Sequence, residues 1–145
     1  MSSDKQRSGP TRLLIVEDEH SIIFALREFF ASAGFAVDCA MTVGECEQLL
    51  ADNDYAVMIT DVHLTPNRRK EGLQLVRRAH EKRPAVRAIV LTAYGSPDLE
   101  EEARQSGADA FFAKPMALPV LASMVERFVS RDAQNEQRAT CNELP

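Results

Sequence analysis

Arg12-Leu13-Leu14-Ile15-Val16-Glu17-Asp18-Glu19 is a short apolar run that ends abruptly in three acids. A run of this length with no polar alternation reads as a strand covered on both faces, the habit of parallel sheets. Four more strand-length runs, at residues 35–40, 55–60, 86–92 and 109–113, are rich in β-branched or aromatic residues. Amphipathic stretches alternate with them. Residues 20–33 set Ile22, Ile23, Leu26, Phe29 and Phe30 on one face, and Gly34 follows where a left-handed residue would end a helix. Thr42 with Glu45 has capping-box form and opens a second helix. A third covers 72–82 and stops before Pro84, and Ser96-Pro97 opens a fourth that ends near Gly107. The fifth spans 119–129. Five βα units with right-handed crossovers define an α/β fold: a doubly wound, five-stranded parallel sheet with five helices on its two faces.

The 145 residues, 45% hydrophobic and 27% charged with a net charge of -5, suit a single domain at 11–130. Polar residues 1–10 and 131–145 read as flexible ends. No apolar run approaches the roughly 20 residues of a membrane span, and no hydrophobic segment follows the N-terminus as in a secretory signal, so the expected location is the cytoplasm. Cys39, Cys46 and Cys141 have no CxxC spacing, and the three His form no zinc-ligand pattern with them. An acidic pI near 5.2 argues against direct nucleic-acid binding. Inside that acidic total lies a basic stretch, eight Lys and Arg from Arg68 to Arg87 against Glu71 and Glu81. The fourth helix holds Asp98, Glu100, Glu101 and Glu102, a face that would meet a basic partner.

In such sheets ligands bind beyond the carboxyl ends of the strands, where the strand order reverses. Those ends carry Glu17, Asp18 and Glu19 after the first strand, Asp61 after the third, Thr92, Ala93 and Tyr94 after the fourth, and Lys114-Pro115 after the fifth. Clustered carboxylates repel unless a cation or proton neutralises them, and Mg²⁺ is the natural partner because it takes one or two carboxylates together with phosphate oxygens and water. With Lys114 and the Thr92 hydroxyl available for further phosphoryl oxygens, the set suits an acyl phosphate formed on Asp61 as nucleophile.

Over residues 11–129 the chain resembles the receiver domains of two-component response regulators. The matching residues are Glu17-Asp18 after Leu13–Val16, Asp61 after Val57-Met58-Ile59-Thr60, Leu91-Thr92-Ala93, and Lys114-Pro115 after Gly107-Ala108-Asp109-Ala110-Phe111. The resemblance implies a flavodoxin-like (βα)5 receiver in which Asp61 accepts a phosphoryl group from a histidine kinase or histidine phosphotransfer protein. It implies Mg²⁺ held by Glu17, Asp18, Asp61 and the backbone carbonyl of His63, with Thr92, Ala93 and Lys114 at the phosphoryl oxygens. Thr92 and Phe111 take the switch positions, and Lys114-Pro115 suits the family's usual cis peptide. The fourth helix, fifth strand and fifth helix would form the output face, bound by a downstream protein or by a second copy in a homodimer. Such a domain catalyses only its own phosphoryl transfer and dephosphorylation.

Three departures bear on these expectations. Glu17 stands where Asp is commoner. His63, two residues past the nucleophile, and Tyr94 occupy positions that would set the phosphoryl lifetime. The basic loop 65–71 is about three residues longer than the family norm. An enzyme reading also exists: Asp61-Val62-His63-Leu64-Thr65 approximates the DxDxT motif of haloacid-dehalogenase-type phosphatases, with His63 in place of the second Asp. A flavodoxin-like cofactor carrier lacks its phosphate loop, since acids follow the first strand. Because about 15 residues follow the last predicted helix, the expectation is a stand-alone receiver, and the alternative is the N-terminal piece of a DNA-binding regulator.

Overall fold

The computed structural model describes residues 9–64 and 69–143, with side chains as far as residue 130. Most of the N-terminal segment 1–10 and residues 65–68 of the basic loop lie outside the described residues. The elements are β1 (Arg12–Val16), α1 (His20–Ser32), β2 (Ala36–Ala40), α2 (Val43–Asp52), β3 (Val57–Asp61), α3 (Glu71–Lys82), β4 (Arg87–Thr92), α4 (Pro97–Ser106), β5 (Ala110–Ala113) and α5 (Leu118–Glu143). All strand pairs are parallel, in the order β2-β1-β3-β4-β5. This is the α/β fold read from the sequence, five parallel strands with five helices.

The strand order explains where the helices sit. Since β2 and β3 flank β1 on opposite sides, right-handed crossovers place α1 and α2 on opposite faces of the sheet. On one face Leu14, Val16, Ala40 and Met58 pack with Cys46 and Leu50 of α2 and with Leu75 and Ala79 of α3. Beyond them Ala88 and Val90 pack with Leu73 and Val76 of α3 and Leu99 and Ala103 of α4. The central strands β1 and β3 are buried almost without interruption, which is why their sequences show no polar alternation.

Most local signals behave as the sequence implies, but the capping box at Thr42 is half made, since the Glu45 carboxylate accepts from the Met41 N–H at 2.8 Å in place of the Thr42 N–H. The Thr42 hydroxyl accepts from the Glu45 N–H at 3.1 Å, and the Ser96 hydroxyl accepts from the Leu99 N–H at 3.1 Å. Gly34 and Gly107 take the left-handed backbone at φ 100° and 111°. α2 lacks a basic residue in its own last turn. Lys82 of α3 supplies one, its ammonium donating to the carbonyls of Leu50, Ala51 (2.7 Å) and Asn53 (3.4 Å).

Much of the basic stretch is thus spent on internal pairs. Lys70 meets Glu102 at 2.7 Å, Arg78 meets Glu47, and Arg87 meets Asp109 at 3.3 Å.

The sheet and first four helices belong to one compact unit (Met1–Pro115), and α5 belongs to another (Met116–Pro145). The apolar spacing of Leu121, Val125 and Phe128 marks one face of α5, but the helix does not stop near 129. Its backbone continues to Glu143 through residues expected to form a tail. From 131 to 143 there is no Pro or Gly and an abundance of Ala, Gln, Glu and Arg. A helix that is polar all round leaves no apolar period to read. No helix among the described residues is long and apolar enough to cross a membrane.

Candidate functional site

The carboxyl ends of β1, β3, β4 and β5 converge where the strand order reverses between β1 and β3. Glu17 follows β1, with its N–H on the Ala40 carbonyl at 3.0 Å. Asp61 ends β3, paired in register with Leu91. Thr92 ends β4, and its carbonyl accepts from the Lys114 N–H at 2.8 Å, so the β4–β5 pairing itself delivers Lys114 to the site. The peptide bond from Lys114 to Pro115 is cis.

Lys114 is the centre of the arrangement. Its Nζ donates to Glu17 Oε1 at 2.7 Å and to Asp61 Oδ2 at 2.8 Å. Glu17 and Asp61 are only 2% and 9% exposed, so the ammonium answers two carboxylates that water barely reaches. Burial pushes the Glu17 carboxyl above the usual glutamate range, against the pull of Lys114, and the neighbouring Asp61 charge adds to the rise. For Lys114, burial works against the charged form, yet the hydrogen bonds to Asp61 and Glu17 prevail and hold its pKa above the ordinary lysine value.

Glu17, Asp18 and Asp61 each offer an oxygen, and the three oxygens lie within 4.8 Å of one another. Three hard carboxylate donors at that spacing fit a divalent cation taking oxygen ligands. Glu17 Oε2 also accepts from the Glu19 N–H at 3.2 Å, which fixes the longer glutamate arm.

The remaining candidates divide. Thr92 is fully buried and its hydroxyl accepts from the Tyr94 N–H at 3.1 Å, while Ala93 and Tyr94 are exposed. Phe111 is half-buried beside Thr92: a Cβ on Gly95 would lie 3.4 Å from Thr92 Cγ2 and 3.7 Å from Phe111 Cε1. Sequence alternation gives Phe112 as the buried partner if Phe111 faces the pocket side, but both are half-buried because β5 is an edge strand with one neighbour. The His63 N–H reaches Asp61 Oδ1 at 3.4 Å, whereas its ring does not join the carboxylates: His63 Nδ1 lies 3.1 Å from the Arg69 carbonyl oxygen.

Two residues stand beside the site without having been picked out from the sequence. Thr60 is fully buried, and its hydroxyl donates to the Asp61 carbonyl at 2.9 Å. Gly72 rests on the same peptide, since a Cβ there would lie 1.9 Å from the Asp61 carbonyl oxygen. Gly72 carried a signal, a glycine in the first turn of a helix where it costs helix propensity. Thr60 carried none, because Thr is an ordinary strand residue.

The chain belongs to the response regulator receiver domain family, whose model matches residues 13–126. It is 31% identical over 121 residues to the transcriptional regulatory protein PmrA of Pectobacterium parmentieri, covering 83% of this chain and 53% of PmrA. The chain spans about half the length of several curated relatives it matches. Among solved structures, the CheY-like receiver domain protein of Methanospirillum hungatei shares the fold, with a TM-score of 0.77 at 24% identity over 87% of this chain and 99% of that one. A response regulator of Burkholderia pseudomallei, solved with a phosphorylated aspartic acid and a calcium ion, is 26% identical with a TM-score of 0.72, covering 88% of this chain and 74% of that one.

Proposed function

We propose that this receiver accepts a phosphoryl group on Asp61, with Mg²⁺ held by Glu17, Asp18, Asp61 and the His63 carbonyl. The observation that carries the reading is the Lys114 ammonium shared between Glu17 and Asp61 at the ends of three strands. An aspartate so placed is a nucleophile in a pocket where a cation and an ammonium absorb the charge that develops on the transferring group. Mg²⁺ supplies charge neutralisation there. The chain's own residues do the rest: an Asp61 Oδ attacks phosphorus as the bond to the donor's histidine nitrogen breaks and that nitrogen keeps the electron pair, Lys114 turns from carboxylate to phosphoryl oxygen, and the Thr92 hydroxyl, while accepting from the Tyr94 N–H, donates its proton to another phosphoryl oxygen.

The donor in this reading is a histidine kinase or histidine phosphotransfer protein, and the product is a changed affinity for a protein partner through α4 and β5. Thr92 and Phe111 carry the change, with the Phe111 ring already beside Thr92. His63 and Tyr94 set how long the phosphoryl group lasts.

The test is incubation with Mg²⁺ and acetyl phosphate followed by intact-mass measurement of the protein and of Asp61→Ala. One phosphoryl group on the wild type and none on the variant is the expected result. Equal labelling of both, or an unlabelled wild type, overturns the reading.

A further inference from the structure

Across the sheet, Ala40, Val16, Thr60, Val90 and Phe111 lie in one lateral row. Thr60 is the polar member of an otherwise apolar row, on the central strand, and it is fully buried with Val16 and Val90 on either side. A hydroxyl in such a place is costly unless it finds a partner. Its partner is the carbonyl of the next residue, Asp61, at 2.9 Å.

That carbonyl belongs to the peptide from which the site's turn departs. The turn is fixed at successive groups: the Val62 N–H donates to the Leu91 carbonyl at 2.9 Å, the Val62 carbonyl accepts from the Gly72 N–H at 2.9 Å, and the His63 N–H reaches Asp61 Oδ1 at 3.4 Å. Gly72 closes over the same peptide with no side chain to hold it off. The Thr60 hydroxyl therefore holds this peptide at its carbonyl while Leu91 holds its N–H, and the pair of bonds sets the aim of the Asp61 carboxylate and of the His63 amide that touches it.

We infer that Thr60 is a positioning residue for Asp61: its buried hydroxyl, through the Asp61 carbonyl, sets the geometry in which the carboxylate attacks. This rests on the reading of Asp61 as the phosphoacceptor. The Thr60 hydroxyl bonds the Asp61 carbonyl, so it acts on the carboxylate through the backbone.

Two substitution pairs isolate the hydroxyl. Thr60→Val replaces it by a methyl of nearly the same shape, and Thr60→Ser and Thr60→Ala differ from one another by the hydroxyl alone. Labelling by acetyl phosphate at saturating Mg²⁺ is expected to slow about fivefold in Thr60→Val, the scale of one net hydrogen bond, with Thr60→Ser faster than Thr60→Ala by a similar factor. In the metal-free protein the His63 amide should exchange its hydrogen faster in Thr60→Val and Thr60→Ala than in wild type and Thr60→Ser.

A role confined to packing would instead leave Thr60→Ser and Thr60→Ala alike. Equal labelling rates and equal His63 exchange within either pair overturn the inference. If Thr60→Val does not fold, the Ser and Ala pair decides. If the wild type itself takes no phosphoryl group, the function reading fails, and His63 exchange still decides whether the hydroxyl fixes the turn.

Discussion

Lys114 Nζ and Asp61 Oδ2 stand 2.8 Å apart, joining residues separated by 53 positions in the chain. The bond draws the end of β5 to the end of β3, two strands that are not neighbours in the sheet, and it reaches over β4 to do so. It also gives Asp61 a cation supplied by the chain itself.

Removing that cation should expose the repulsion it suppresses. Lys114→Met leaves Glu17 and Asp61 buried and uncompensated, and is expected to cost about 2 kcal/mol in metal-free protein, below the full loss for a deeply buried pair because Lys114 retains some exposure. Saturating Mg²⁺ should then raise the urea midpoint more in the variant than in the wild type, since the metal takes over the neutralising role. An equal or smaller rise in the variant would show that ammonium and metal do not serve the same carboxylates.

The same pair gives a pH dependence with a definite sign. Lys114 has its folded pKa above the ordinary 10.5, so its contribution to stability is complete below 10.5 and fades as pH rises through the folded value. The stability gap between wild type and Lys114→Met should therefore hold steady from neutral pH to 10.5 and narrow beyond it. Glu17 has its folded pKa raised above 4.5, so ionising it in the fold costs stability as pH rises past that value. Glu17→Gln should gain on the wild type from pH 4.5 upward, read from urea midpoints across that range.

Gly72 tolerates no side chain. A Cβ would sit 1.9 Å from the Asp61 carbonyl oxygen and 2.9 Å from its carbon, both backbone atoms that cannot swing aside. Gly72→Ala should cost about 2–3 kcal/mol, the scale of core overpacking, as the first turn of α3 lifts from β3. Acetyl phosphate labelling should slow in parallel. A variant as stable as the wild type would mean that α3 has room to retreat.

Gly107 combines two demands. Its backbone is left-handed at φ 111°, and a Cβ would lie 2.7 Å from His80 Nδ1, whose ring bonds the Val76 carbonyl at 3.1 Å. Gly107→Ala should lose about 1–2 kcal/mol from the backbone requirement, with a further loss from the collision. Adding His80→Ala should recover only the second part. Thermal melts of the single and double variants separate the two, and full recovery in the double variant would assign the whole cost to the ring.

How much of this could be read from the sequence depends on how each residue signals. Leu13–Val16 announces a doubly covered strand because burial on both faces removes polar alternation, and Thr42, Ser96 and Gly107 announce helix ends because few residue types serve there. Glu17, Asp61, Thr92 and Lys114 were legible as a set, since strand ends in a parallel sheet converge and their charges complement one another. The 2.7 Å contact between Glu17 and Lys114 was not, because a residue's type says nothing of which partner its longer arm selects. The Arg69 carbonyl beside the His63 ring, the Lys82 ammonium at the end of α2 and the Thr60 hydroxyl on the Asp61 carbonyl were hidden for a common reason. Each uses a backbone carbonyl, which every residue possesses and no sequence distinguishes.

The Lys82 ammonium on α2 carries an implication for assembly. Asn53 caps the Leu49 carbonyl, but the Leu50 and Ala51 carbonyls are served by a side chain 31 positions beyond Ala51, so a chain that has emerged only through β3 leaves those two without that donor. α2 becomes whole when α3 docks, and the two helices should therefore open together in native-state exchange, as one cooperative piece of the molecule.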